Sequence, residues 1–254
     1  MPTSLRNLRN SCYMNAILQC IVYIPEITQW CKQHKNEIMK EYSDLQEIMT
    51  KDYKEVAPHR FLHFVQTSFK LNAGEQHDAH EFLIQLLDKL ECPFLRGERR
   101  SILGKSVQVE PFMCLELPIP REGASLHDCI QECVKTEMVE YEGKRVEKRW
   151  ELKIPSILCI VLLRFHASSK KKDWRVNIPF KLGEYSLVSI CNHHGSSTHG
   201  HYTANVYLDE WYEFNDEHVQ KKQPTLENAY CLFFRKKPKY ILWMKYIRFR
   251  YHLL

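Results

Sequence analysis

The chain has 254 residues, of which 44% are hydrophobic and 26% charged, and its formal net charge is +5. This length and composition allow a substantial buried core and fit one elaborated domain or a core with an insertion. Seven of the 36 Lys and Arg lie in residues 235–254, which contain no acid, so residues 1–234 carry 29 positive and 31 negative side chains, a net charge of −2. A nearly neutral body disfavours a nucleic-acid-binding domain, which usually carries its basic patch on the fold itself.

The ten cysteines are scattered, mostly within apolar runs. This pattern is typical of reduced, buried thiols rather than of a disulfide framework. No apolar run approaches the roughly 18 residues that span a bilayer. We therefore expect a soluble intracellular protein, cytoplasmic or nuclear. The chain has no C-x-x-C pair, and Cys129 and Cys133 have no partner pair. Four zinc ligands cannot be assembled from this spacing, so we predict neither zinc nor another cofactor.

The first ninety residues predict four helices. They are expected over Cys12–Tyr23, within Asn36–Lys54, after Pro58 and over Asp78–Leu90. In the last of these, apolar residues recur at i, i+3, i+4, i+7, i+8 and i+11, which forms one buried stripe. Asp78 and Glu81 then lie together on the outward side of its N-terminus, where they also fit a capping box.

From Glu110 onward the pattern predicts short strands rich in β-branched and aromatic residues. They are expected at Phe112–Leu117, Arg145–Leu152, Ile157–Phe165, Tyr185–Ile190, His201–Leu208, Trp211–Phe214 and Tyr230–Arg235. The strand Ile157–Phe165 is apolar on both faces, so we expect it to be central. Loops are predicted at residues 168–172 and 192–200. Helices followed by strands indicate an α+β protein with two lobes.

Cys12 is a candidate nucleophile because it stands at the start of an apolar helix, where unpaired N–H groups and the positive dipole end favour a thiolate. Cys20 in the same helix is more simply a small core residue. His201 is the candidate base. Asn215 ends another aromatic strand fourteen residues later, and in a hairpin it can hold the imidazole in the tautomer that accepts the thiol proton. Each residue alone also has a structural explanation: packing for Cys12, a satisfied core residue for His201 and turn chemistry for Asn215 and Asp216.

Five blocks of the sequence resemble, in order, the ubiquitin-specific proteases. The blocks are Asn7–Gln19, Glu75–Leu83, His194–Ala204, Trp211–Val219 and Ala229–Phe234. The resemblance implies a papain-like cysteine protease fold, with a helical thumb lobe, a β-sheet palm lobe and shortened β fingers. In that fold the nucleophile lies on a helix of one lobe and the base on the sheet of the other.

Carried over residue by residue, the resemblance makes Cys12 the nucleophile and His201 the general base. Asn215 would orient the imidazole, with Asp216 as a helper or substitute. Asn7 would donate its side-chain amide to the oxyanion, and the backbone N–H of Cys12 is the expected second donor. Loss of one such donor typically lowers the rate about a hundredfold or more.

The same resemblance implies hydrolysis of the bond after the C-terminal Gly-Gly of ubiquitin through an acyl-enzyme. Ubiquitin and ubiquitinated proteins are then the partners. Asp78 and Glu81 are suited to hold the arginines of the ubiquitin tail, and Gln76 to bind its backbone. His194 and Tyr202, which flank the base, would line the Gly-Gly tunnel.

The resemblance divides the chain into a catalytic domain, 1–235, and a basic aromatic tail, 236–254. Within the domain we expect a helical lobe to about residue 95, a fingers-like insertion with palm strands to about 150, and the palm with its histidine box at 151–235. The tail suits an anionic membrane surface, a nucleic acid or a partner groove, and an appended helix or strand on the palm explains it equally well. Nucleic acid is not expected as a partner of the body.

Arg9 departs from the family pattern, which has a glycine two residues after the oxyanion asparagine. Glycine there permits a positive φ just before the nucleophile. Two alternatives to a deubiquitinase therefore stay open. One is a catalytically weak or inactive ubiquitin-binding module, and the other is a protease for a ubiquitin-like modifier.

Overall fold

The computed structural model describes residues 1–34, 36–51, 53–103, 106–165, 171–196 and 199–237. The described helices are α1 (Cys12–Val22), α2 (Pro25–Gln33), α3 (Glu37–Met49), α4 (His59–Phe69), α5 (Ala79–Leu90) and α6 (Leu126–Cys133). The four predicted helices correspond to α1, α3, α4 and α5. The other two were not predicted, although each carries a start signal: a proline in the first turn of α2 and a capping box between Ser125 and Asp128 at α6.

Fourteen strands occur in the described part of the chain. They are β1 (Ser4–Leu5), β2 (Glu55–Val56), β3 (Gly97–Leu103), β4 (Ser106–Phe112), β5 (Cys114–Pro118), β6 (Glu137–Tyr141), β7 (Lys144–Lys153), β8 (Ile157–Leu163), β9 (Lys181–Leu182), β10 (Tyr185–Gly195), β11 (Gly200–Tyr207), β12 (Trp211–Asn215), β13 (His218–Lys221) and β14 (Ala229–Lys236). With helices preceding most of the strands, the predicted α+β class is confirmed.

The main sheet has the strand order β13-β12-β11-β10-β14-β8-β5, and β9 pairs with β10 at its side. Its neighbours are antiparallel except β5 and β8, which run parallel. A second, four-stranded antiparallel sheet has the order β4-β3-β7-β6. Only β7 of that sheet was predicted as a whole strand. The other three strands were not predicted: β4 and β6 are largely exposed, and β3 contains three consecutive charged residues, so none forms a clear apolar strand pattern.

Helix α1 lies against strands β10 and β11 of the main sheet and also packs on α5. All eleven of its residues are buried. This explains why the helix is apolar almost all round, since it contacts protein on more than one side. Its first residue, Cys12, is thereby fixed at the boundary between the helices and the sheet.

The strand β8 is buried on both faces, as its sequence predicted. Ile157, Cys159 and Val161 face the helices, whereas Leu158, Ile160 and Leu162 face the core that contains α6. It has a neighbour on each side, β14 and β5, but lies second from the edge of the sheet rather than at its centre.

The prediction of a loop at residues 192–200 is wrong for its first half. Strand β10 continues to Gly195, because the polar residues Asn192, His193 and His194 pair in register with Thr203, Tyr202 and His201 of β11. Strand β11 begins at Gly200, which is the register partner of Gly195. The predicted loop at 168–172 lies mostly outside the described residues, as does the tail beyond residue 237. In the described part of the chain, no helix is long and apolar enough to cross a membrane.

Candidate active site

Cys12 is the first residue of α1, and its side chain is almost completely buried, with 5% exposed. The loop before it turns through two residues with positive φ, Arg9 at 55° and Asn10 at 62°. Arg9 thus adopts the conformation for which glycine would be suited, with its side chain in solvent. Ser11 precedes the helix without capping it by its side chain, and its hydroxyl accepts a hydrogen bond from the N–H of Leu8. The first N–H groups of α1 are therefore left for other acceptors near the sulfur.

His201 lies on β11, and its Nε2 is 2.7 Å from Oδ1 of Asn215 at the end of β12. The neighbouring thiol of Cys12 is the largest cause of a pKa of His201 raised to about 9; the hydrogen bond with Asn215 contributes in the same direction, and burial opposes both. Because Nε2 donates to Asn215, Nδ1 is the nitrogen left to accept the thiol proton. Side chains from α1, β11 and β12 thus form a thiol–imidazole–amide arrangement.

Asp216 follows Asn215 in a left-handed conformation with φ of 48° and is 9% exposed. Its Oδ2 accepts a hydrogen bond of 2.8 Å from the side-chain amide of Asn7, and its Oδ1 accepts one of the same length from Asn15. Oδ2 also lies 3.9 Å from Nε2 of His201. Burial raises the pKa of Asp216, and the hydrogen bonds from the two asparagines oppose that effect. Asp216 therefore joins the loop before Cys12, helix α1 and the base.

Asn7 is held through three of its groups. Its backbone N–H donates to Oε1 of Glu217 at 2.7 Å, its Oδ1 accepts from the N–H of Ser11, and its Nδ2 donates to Asp216. The side-chain amide has a second N–H besides the one that Asp216 receives. This fixed amide lies in the same loop as the candidate nucleophile.

Asn15 was not identified from the sequence. It is buried, and besides Asp216 its amide contacts the backbone oxygen of Arg6. A signal was available, because Asn15 stands three residues after Cys12 and therefore on the same side of α1. A buried asparagine in a mostly apolar helix needs a hydrogen-bond partner.

A cleft of about 490 Å³ lies beside this arrangement. The cleft is lined by Gln76, Asp78 and Glu81, which lie at or just before the start of α5 and were predicted to bind substrate. Tyr202, also predicted to bind substrate, and Gly200 line it as well. Gly200 immediately precedes His201 in the sequence. The cleft thus runs from the N-terminus of α5 to the start of β11, one residue before the base.

Asp78 caps α5, since its carboxylate accepts hydrogen bonds from the N–H groups of His80 and Glu81. The hydroxyls of Tyr202 and Tyr230 also donate to it, each at 3.1 Å. Most of the acceptor capacity of this carboxylate is therefore occupied, and it ties the start of the helix to two strands of the main sheet. Glu81 is exposed and retains a solvent-facing carboxylate.

Gln76 contacts both backbone groups of Gly200 across the cleft. Its Nε2 donates to the oxygen of Gly200 at 3.2 Å, and its Oε1 accepts from the N–H of Gly200 at 3.4 Å. The side-chain amide therefore pairs with the backbone as a neighbouring strand would. Gln76 was predicted to bind the backbone of a substrate tail, and here it uses the same groups on the protein's own backbone.

The structure differs from the prediction for His194, which does not line the cleft. Neighbouring residues of a strand point to opposite faces. His193 is therefore on the cleft side with its register partner Tyr202, whereas His194 is paired with His201 and contacts the hydroxyl of Thr203. Burial, with Lys171 as a second cause, lowers the pKa of His193 to about 4.

No group of three or more His, Cys, Asp or Glu side chains is arranged to hold a metal ion within the residues that the structure describes. The reactive groups of the site are those of the side chains themselves. A thiol, an imidazole in the accepting tautomer and nearby amide donors can perform acyl transfer to sulfur.

Comparison with known proteins supports this chemistry. The sequence model of the ubiquitin carboxyl-terminal hydrolase family matches residues 3–234, which confirms the predicted papain-like fold. The chain is 28% identical to ubiquitin carboxyl-terminal hydrolase 2 of Rattus norvegicus, over 91% of this chain and 53% of that protein. It is 25% identical to ubiquitin carboxyl-terminal hydrolase 21 of Homo sapiens and 24% identical to ubiquitin carboxyl-terminal hydrolase 22-A of Xenopus laevis. These cover 91% and 92% of this chain, and 61% and 66% of the relatives. The chain thus spans between half and two thirds of these relatives.

Proposed function

Because the chain belongs to the ubiquitin carboxyl-terminal hydrolase family, we propose that it is a thiol-dependent deubiquitinase. It would hydrolyse the peptide or isopeptide bond at the C-terminal glycine of ubiquitin. The observation that carries the proposal is the hydrogen bond between His201 and Asn215, with the thiol of Cys12 near enough to raise the pKa of His201. The family match and this geometry support the same chemistry independently.

In the proposed reaction, Cys12 loses its proton to Nδ1 of His201 and attacks the carbonyl carbon of the terminal glycine. The second N–H of Asn7 and the backbone N–H of Cys12 stabilise the oxyanion. The imidazolium then protonates the leaving amine, which gives a thioester on Cys12. Water, deprotonated by His201, attacks the thioester and releases ubiquitin. Asn215 and Asp216 keep the imidazole oriented during both steps.

The cleft is the proposed channel for the ubiquitin tail. Glu81 is the exposed carboxylate at its rim and is the better placed of the two predicted acids to meet an arginine of the tail. Asp78 acts mainly by fixing the start of α5, and Tyr202 provides a wall. An extended tail would compete for the backbone groups that Gln76 now pairs with. His194 supports the base from the adjacent register position.

The four-stranded sheet of β3, β4, β6 and β7 is proposed as the shortened fingers that contact the body of ubiquitin. It belongs to a catalytic domain spanning residues 1–235, and residues 236–254 form the proposed tail. The partners are ubiquitin and ubiquitinated proteins, and the proposed location is the cytoplasm or the nucleus.

The proposal is tested by hydrolysis of a fluorogenic amide at the C-terminus of ubiquitin. Wild-type protein should turn it over, and Cys12→Ala and His201→Ala should abolish turnover. Cys20→Ala is the matched control, since this cysteine lies on the same helix within the core. The same amide on ubiquitin-like modifiers is assayed in parallel. Turnover of one of those, but not of ubiquitin, would overturn the substrate assignment, and turnover by Cys12→Ala would overturn the mechanism.

A further inference from the structure

A second group of cysteines lies away from the candidate active site, on strands of the main sheet. Cys114 of β5 and Cys159 of β8 are direct partners in the parallel pair of strands. Their sulfur atoms are 3.5 Å apart. No step of the proposed hydrolysis uses either thiol.

The positions of this pair satisfy the geometry of a disulfide. Directly paired residues on neighbouring strands have Cα atoms about 4.8 Å apart, which is within the range of about 4.4–6.8 Å seen in disulfides. The sulfur atoms already face each other, so closure requires an approach to about 2 Å through side-chain rotation and a small strand adjustment.

The two thiols differ in their access to solvent. All ten cysteines lie in the described part of the chain, and Cys114 is the one that is only partly buried. Cys159 is completely buried. An oxidant from solvent therefore reaches Cys114 first, and the neighbouring sulfur then meets the oxidised one.

The same sheet contains a second pair that serves as a comparison. Cys191 of β10 and Cys231 of β14 are also register partners. Both of these cysteines are completely buried. Proximity is thus shared by the two pairs, and solvent access distinguishes them.

We propose that Cys114 and Cys159 form a peroxide-sensitive thiol pair that closes to a disulfide. The Cys114 sulfur attacks hydrogen peroxide, the O–O bond breaks, and one water leaves as the sulfenic acid forms. The Cys159 sulfur then attacks the Cys114 sulfur, the S–O bond breaks, and a second water leaves with the Cys159 proton. Two thiols are oxidised by two electrons, and the peroxide is reduced to two waters.

The disulfide would join two parts of the fold. Strand β5 begins two residues after β4 ends, so Cys114 stands where the four-stranded sheet connects to the main sheet. Strand β8 leads directly to Leu163, Arg164 and Phe165, which line the cleft. The crosslink therefore fixes strand β5, at the junction of the two sheets, to strand β8, which leads to the cleft.

The test treats the reduced full chain with limiting hydrogen peroxide, blocks the remaining thiols, and identifies linked tryptic peptides by mass spectrometry. Trypsin places Cys114 in residues 106–121 and Cys159 in residues 154–164, each with a single cysteine. The expected result is a linked peptide lacking two hydrogen atoms relative to the sum of the two peptides. At the same peroxide concentration, Cys191 and Cys231 should stay reduced. In Cys159→Ser, Cys114 should accumulate as a sulfenic acid that a dimedone probe labels.

Three results would overturn the proposal. The first is oxidation of Cys114 in the wild type to the sulfinic acid without any link to Cys159. The second is formation of the Cys191–Cys231 link at the same or lower peroxide concentration. The third is no oxidation of Cys114 when Cys12 is already fully oxidised. Because the wild-type mapping alone decides these points, the result does not depend on the folding of a variant or on deubiquitinase activity.

Discussion

Replacement of Asp216 by asparagine should lower the pKa of His201 and so shift the alkaline limb of the pH–rate profile. Asp216 Oδ2 lies 3.9 Å from Nε2 of His201, and its negative charge favours the imidazolium. The substitution removes that charge while keeping the size of the side chain. Asparagine also tolerates the φ of 48° at this position.

The magnitude follows from Coulomb's law. Two unit charges 3.9 Å apart interact by about 4 kcal/mol at an effective dielectric constant of about 20 and by about 1 kcal/mol in water. The side chain of His201 is 40% exposed, so the value lies near the lower limit, at about 1–1.5 kcal/mol. This corresponds to about one pKa unit. The limb, which is expected near pH 9 in the wild type, should move to about pH 8.

The sign follows from the role of the proton. Removing an anion disfavours the charged imidazolium, so His201 loses its proton at lower pH, and the acid that protonates the leaving amine disappears earlier. The maximal rate should fall too. The two oxygens of Asp216 each accept a hydrogen bond, one from the amide of Asn7 and one from the amide of Asn15, whereas an asparagine side chain has only one acceptor oxygen.

The assay is the pH dependence of kcat/KM for the fluorogenic ubiquitin amide. Glu217→Gln is the matched control: it removes the same charge one residue away, and Glu217 contacts the backbone of Asn7. An unshifted limb in Asp216→Asn would refute the reasoning, and so would an equal shift in Glu217→Gln, which would indicate an effect of net charge.

Three further predictions concern local structure. Arg9→Gly should raise the free energy of unfolding by about 0.5–1 kcal/mol in urea denaturation, because Arg9 has a positive φ; a lower stability would contradict this. Gly200→Ala should lower both kcat/KM and the melting temperature, because its Cβ would lie 2.1 Å from Nε2 of His193; unchanged kinetics would show that the turn before the base does not need this packing. Arg164→Met should lower the free energy of unfolding by about 3–5 kcal/mol, since the buried guanidinium donates to four backbone carbonyls; a loss below about 1 kcal/mol would mean that other donors replace it.

The sequence predicted those parts of the fold in which local pattern and burial agree. Helix α5 has a single apolar stripe and an acidic cap, and both are present in the structure. Strand β8 is apolar at both its odd-numbered and its even-numbered positions, and the structure buries both of its faces. The pairing of His201 with Asn215 was predictable because a hairpin brings the ends of two consecutive strands together.

The remaining features depend on contacts between distant parts of the chain. The hydrogen bond from Asn15 to Asp216 joins residues 201 positions apart. The carboxylate of Asp78 accepts hydrogen bonds from the hydroxyls of Tyr202 and Tyr230, on two strands that are far away in sequence, which reduces its availability to substrate. Whether His193 or His194 faces the cleft depends on the strand register, and a register predicted wrongly by one residue places the other histidine there.

The measurement that tests the central claim most directly is covalent labelling by ubiquitin that carries a thiol-reactive group at its C-terminus. The account predicts that wild-type protein gains the mass of one ubiquitin, that Cys20→Ala does the same, and that Cys12→Ala gains none. Labelling of Cys12→Ala would place the reactive thiol elsewhere. If the wild type is not labelled but still binds unmodified ubiquitin, the protein is a binding module rather than an enzyme. If it neither reacts nor binds, the assignment of ubiquitin as substrate is contradicted.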